Sequence, residues 1–122
     1  MPTPPIVVTD RRLDRAELAR LVQAGFGNMV KFVVDTRRQV MAVGGELHAD
    51  GERLLLDDGS AQDDLWGGNY YPGRGPADCV QFTALMNIRP ARGNPSMEIE
   101  SPTIRDAVRD LASLLLGTGE AL

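Results

Sequence analysis

The stretch Met29–Asp35 (MVKFVVD), the polar Thr36-Arg37-Arg38-Gln39 and the apolar Val40–Val43 (VMAV) constrain this chain most. Val30, Phe32 and Val34 fall on one face of the first run, with Lys31 and Asp35 on the other. Two apolar runs around a short polar loop read as a β-hairpin, and Gly44-Gly45 closes the second run. Antiparallel pairing is therefore built into the middle of the fold.

Around that hairpin the remaining elements follow from local signals. Ile6–Thr9 is a β-branched run. Asp14-x-x-Glu17 is a capping box, Leu18, Leu21 and Val22 follow at helical spacing, and Gly25 stops the helix. Glu46–Gly59 (ELHADGERLLLDDG) admits a hairpin through Asp50-Gly51 or a helix with Gly59 as C-cap, and the helix is the preferred reading. Leu65–Tyr71 and Val80–Ile88 read as strands joined by the turn-rich Pro72–Pro76. Ser101-Pro102 starts a last helix, whose stripe Ile104, Val108, Leu111 and Leu115 ends at Gly117. The order β-α-β-β-α-β-β-α predicts an α+β fold: a small, mostly antiparallel sheet with an N-terminal and a C-terminal helix packed on it, the helices on one face. The 122 residues suit one domain, with 1–5 as a flexible start and 117–122 as a frayed end.

Charge narrows the function classes. Thirteen basic and seventeen acidic residues leave a net charge of −4, concentrated as −6 between Glu46 and Asp64. That balance argues against general binding to phosphate backbones. No window is apolar enough for a membrane span, and MPTPPIVV lacks the basic start of a secretory signal. With one cysteine, Cys79, no intramolecular disulfide can form, and a cytoplasmic location is expected. With one histidine, His48, multi-histidine metal sites and four-ligand Cys/His zinc knuckles are excluded.

His48 lies between Glu46 and Asp50. On a strand these three side chains would share a face and could converge on a cation; on a helix, residues two apart diverge by roughly 200°. His48-x-Asp50 followed by Ser60-x-x-Asp63 is similar in spacing to zinc isopeptidases of the JAB/MPN type, although those carry a second histidine where Asp50 stands, and only Glu17 is available as the upstream acid. The acidic run Asp57, Asp58, Asp63 and Asp64 lacks the ligand pattern of an EF-hand and reads as a solvated face. No nucleophile elbow or phosphate-binding loop is present, and Asp78 disfavours a thiolate at Cys79.

What remains is a polar and aromatic set. Trp66, Asn69 and Tyr71 lie along one predicted strand, and Asn87, Arg89, Asn94 and Ser96 flank the irregular NIRPARGNPS. Such donors could bind a carboxylate or phosphate, or simply bond their own backbone in turns. The motifs GGELHAD, DLWGGNYYP and NIRPARGN, within a pattern running from Ile6 to Leu116, resemble a bacterial and cyanobacterial family, domain-of-unknown-function family 5674. That resemblance implies a small intracellular single-domain protein and carries no assigned activity.

The leading expectation is a non-catalytic binding or regulatory module without a cofactor. Its pocket of His48, Trp66, Asn69, Tyr71, Asn87, Arg89 and Asn94 would take an anionic small ligand or a partner's carboxylate. The alternative is a metal-dependent hydrolase, with His48, Asp50 and Asp63 or Asp35 as ligands and Glu46 as general base. A third reading is an interaction protein that works through a sheet edge or helix face, with a homodimer as one form.

Overall fold

The computed structural model describes residues 3–122. A five-stranded antiparallel sheet, in the order β1-β3-β2-β4-β5, is formed by β1 (Ile6–Thr9), β2 (Val30–Asp35), β3 (Val40–Gly44), β4 (Leu65–Tyr70) and β5 (Val80–Gln81). Three helices accompany it: α1 (Arg15–Ala24), α2 (His48–Asp57) and α3 (Pro102–Leu115). The expected α+β class holds, and Glu46–Gly59 resolves as a helix rather than a hairpin.

Strand alternation divides the core in two. Val30, Phe32 and Val34 of β2, Met41 and Val43 of β3, and Trp66 and Tyr70 of β4 face α1 and α3, where Leu18, Leu21, Val108, Leu111 and Leu115 complete the larger cluster. Val33, Ala42 and Leu65 face the other way, and Leu55 of α2 packs on them. The helices therefore cover both faces of the sheet, and the expectation of a single covered face is corrected. Gly51 is the reason α2 can lie so close: a Cβ there would stand 3.1 Å from Val33 Cγ2 and 3.3 Å from the Ala42 Cβ. Burying Leu55 in this smaller core contributes roughly 1.5–3 kcal/mol.

Caps set the helix ends. Asp14 accepts a bond from the Glu17 amide at 2.8 Å, and among the described residues only this half of the capping box forms. Ser101 accepts from the Ile104 amide, with Pro102 at the first turn of α3. At the C-terminal end, Gly119 donates to the Tyr70 hydroxyl at 2.9 Å, and its carbonyl accepts from Gly73 and Gly75. The segment 117–122, expected to fray, is thus hydrogen-bonded to the loop after β4. Of the expected flexible start, residues 1 and 2 lie outside the described residues, while the Pro5 carbonyl accepts from Gly45.

One predicted strand is much shorter than expected. Val80–Ile88 pairs with β4 only at Val80 and Gln81, makes one isolated antiparallel bridge from Thr83 to Glu98, and then turns through a single 3₁₀ turn at Leu85–Asn87. The Asn87 side chain takes the place of a strand: its Oδ1 accepts from the Gly67 amide and its Nδ2 donates to the Gly67 carbonyl, both at 2.9 Å. These bonds satisfy backbone groups of β4 that lie beyond the end of β5.

Candidate functional site

The α2 face of the sheet leaves an open cleft of about 570 Å³ between the start of α2, the edge of β4 and the segment after β5. A cleft of this size matches small-molecule sites in general. Its walls are apolar: Met29, Leu47, Leu85, Met86 and Met97. Leu47, Leu85 and Met97 are 55%, 72% and 40% exposed. Unbranched methionine walls adapt to ligands of varied shape. The polar lining is Lys31, His48, Glu52, Asn69 and Thr83.

Strand alternation explains which groups reach the cleft. Lys31 on β2 and Asn69 on β4 are register partners and point to the α2 face. His48 is the first residue of α2, and its Nε2 donates to the Gly68 carbonyl at 2.8 Å. That bond fixes the tautomer of the neutral ring. Burial pushes the His48 pKa below its ordinary value; the Gly68 bond opposes this, the Lys31 charge adds to it, and the neighbouring Asn69 amide opposes it.

Asn69 is held from behind. Its Nδ2 donates to Gln81 Oε1 at 2.9 Å and to the Thr83 carbonyl at 3.4 Å, and Gln81 Oε1 also accepts from the Tyr71 hydroxyl. The Asn69 Oδ1 is buried and has no hydrogen-bond partner among the described residues. Glu52 faces Arg89 at 3.6 Å, and the Arg89 guanidinium lies 5.1 Å from the centre of the Trp66 ring. Burial lowers the Arg89 pKa, Glu52 raises it, Arg92 lowers it and Asp63 raises it. Lys31 pairs with no carboxylate among the described residues; its ammonium lies 5.1 Å from the Phe26 ring centre.

The residues singled out in the sequence separate into groups. His48 and Asn69 share the cleft. Trp66 belongs to the larger core on the opposite face, and Tyr71 reaches the cleft only through Gln81 while stacking under Arg74. Asn87 and Asn94 are fully occupied by backbone: Asn94 donates to the Asn87, Ser96 and Glu98 carbonyls and accepts from the Glu100 amide. Arg89 does not line the cleft; it faces Glu52 at 3.6 Å, and its Nη1 and Nη2 are buried with no hydrogen-bond partner among the described residues. The expected seven-residue pocket is thus reduced to two members, joined by Lys31, Glu52, Thr83 and the methionines. Lys31 was visible as the one charged residue within the apolar run of β2 before Asp35; the methionines carried no local signal.

The metal-ligand set does not gather. His48 and Asp50 are two apart on a helix, Asp63 pairs with Arg92 at 2.6 Å, and Glu46 is exposed before α2. Asp35 is buried, its Oδ1 accepting from the Arg37 and Arg38 amides at the β2–β3 turn. Among the described residues no three His, Cys, Asp or Glu side chains are placed to hold an ion. The acidic run also meets arginines, with Asp58 on Arg38 and Asp64 on Arg37. Cys79 is buried in the larger core, and burial raises its pKa. No described helix is long and apolar enough to cross a membrane.

A family model described as protein of unknown function (DUF5674) matches residues 7–115 of the chain. No curated protein and no solved structure matches it.

Proposed function

We propose that this chain, which belongs to the DUF5674 family of proteins of unknown function, is a non-catalytic binding module for a small amphiphilic anion. The observation that carries this reading is the composition of the α2-face cleft. Exposed apolar side chains, Leu47, Leu85 and Met97, rim a floor on which Lys31 has no carboxylate partner among the described residues. Exposed apolar groups gathered around one concavity mark interaction sites rather than ordinary surface. An uncompensated ammonium beside them favours a negative head group on an apolar body. Glu52, the cleft's own carboxylate, is turned to Arg89 and so repels an anion less.

The test is amide chemical-shift mapping with octanoate and with 1-octanol. Octanoate is expected to shift Leu47, His48, Ala49, Asn69 and Met86 in preference to other amides. Lys31→Met should weaken octanoate about threefold to tenfold, the range of a partly exposed charge contact, and leave octanol unchanged. Shifts scattered over the surface, or a Lys31→Met variant that binds octanoate as the parent does, would sink the proposal.

A further inference from the structure

We infer that the ligand is an N-acylated apolar amino acid, free or as the last residue of a peptide, an inference that rests on the anion-binding reading above. Four features line the same cleft, and each calls for a different part of one molecule.

The first two select a carboxylate. Leu47 is the N-cap of α2 and offers no side-chain bond, so no side chain caps the free amides of His48 and Ala49 in the first turn. Leu47, His48 and Ala49 all line the cleft, and helix amides with the positive end of the dipole attract an anion there. Lys31 adds a full charge. Asp50, the acid in the same helical turn, does not line the cleft.

The third feature is not explained by a carboxylate. Asn69 is only 8% exposed, and its Oδ1 has no hydrogen-bond partner among the described residues. The orientation of the amide is fixed, because Nδ2 already serves Gln81 Oε1 and the Thr83 carbonyl. A buried carbonyl-type oxygen left unpaired costs about 1–3 kcal/mol, and a donor on the ligand would recover it. An anion alone brings no donor. An ammonium brings one, but it would face Lys31 and the helix terminus. A neutral amide N–H next to a carboxylate satisfies both demands, and that pair defines an acylated α-amino acid. The fourth feature, the wall of Leu47, Leu85, Met86 and Met97, takes an apolar side chain.

Binding should be measured on the whole chain with N-acetyl-leucine, its methyl ester, 4-methylpentanoate and N-acetyl-Gly-Gly-Leu, with octanoate as the reference anion. N-acetyl-leucine is expected to bind about tenfold tighter than 4-methylpentanoate, which lacks the N–H, and about tenfold tighter than the uncharged ester. Asn69→Ala should remove the first advantage and Lys31→Met the second. Lys31→Met alters a half-buried side chain with no hydrogen bond to lose, so it keeps the test open even if Asn69→Ala folds poorly. Tripeptide binding at least as tight as N-acetyl-leucine assigns a chain end, and weaker tripeptide binding assigns the free acylated amino acid; either supports the shared chemistry. Equal affinity for N-acetyl-leucine and 4-methylpentanoate overturns the inference while the anion-binding reading stands. Octanoate and N-acetyl-leucine both failing to shift the cleft amides would overturn both.

Discussion

His48 stands where packing and protonation meet. Its ring donates to the Gly68 carbonyl, and burial lowers its pKa from the ordinary 6.5, so the folded state prefers the neutral imidazole. The unfolded chain takes up the proton first on acidification. The stability that neutral His48 contributes is therefore complete above pH 6.5 and is lost as the pH falls from there through the lowered folded pKa. Urea midpoints measured across this window should fall with acidification, and His48→Gln, which keeps an N–H donor without titrating, should flatten that fall. A parent and variant with the same pH slope would count against the assignment. Asn87 and Asn94 show why residue-scale reading stops short. An asparagine amide serves a ligand or a backbone equally well, and only burial against Gly67 or inside the loop after Arg89 decides which.

At the scale of elements, the parity of strand positions carries much of the answer. Trp66 and Asn69 are an odd number of residues apart, so on β4 they cannot share a face; Trp66 enters the larger core and Asn69 the cleft. That separation was readable from the sequence once the strand was assigned. The close approach at Gly68 was not. Phe32 lies directly opposite Gly68 in the β2–β4 register, and a Cβ there would come within 2.6 Å of Phe32 Cζ and 2.8 Å of the Gln81 carbonyl oxygen. Gly68→Ala should destabilise the protein by about 1–3 kcal/mol through overpacking, read as a lowered urea midpoint with an unchanged m-value. An unchanged midpoint would mean that the ring and the strand edge move aside without cost. The short β5 has a similar origin: with Asn87 bonding both backbone groups of Gly67, a longer strand has nothing to pair with there.

For the whole molecule, closure depends on contacts between segments far apart in sequence. Gly119 bonds the Tyr70 hydroxyl and the Gly73 and Gly75 amides. A chain ending at Leu116 should lose about 1–3 kcal/mol and show faster hydrogen exchange at Gly73 and Gly75, with the cleft amides unaffected. Unchanged exchange at those glycines would show that the tail adds nothing to the loop. Charge closes in the same way: the −6 segment from Glu46 to Asp64 meets Arg37, Arg38 and Arg92, which no local pattern announces. By itself the sequence determined the hairpin, the first and last helices with their caps, the α+β class and the family, because each is written in nearest-neighbour periodicity or in a contiguous motif. Tertiary structure alone decided that α2 lies on the face opposite α1 and α3, and that Lys31, His48 and Asn69 share a cleft from which Trp66, Asn87 and Asn94 are withdrawn. The physical reason is that a side chain's role there depends on which donors, acceptors and apolar surfaces the fold brings against it, and those partners lie up to several dozen residues away along the chain.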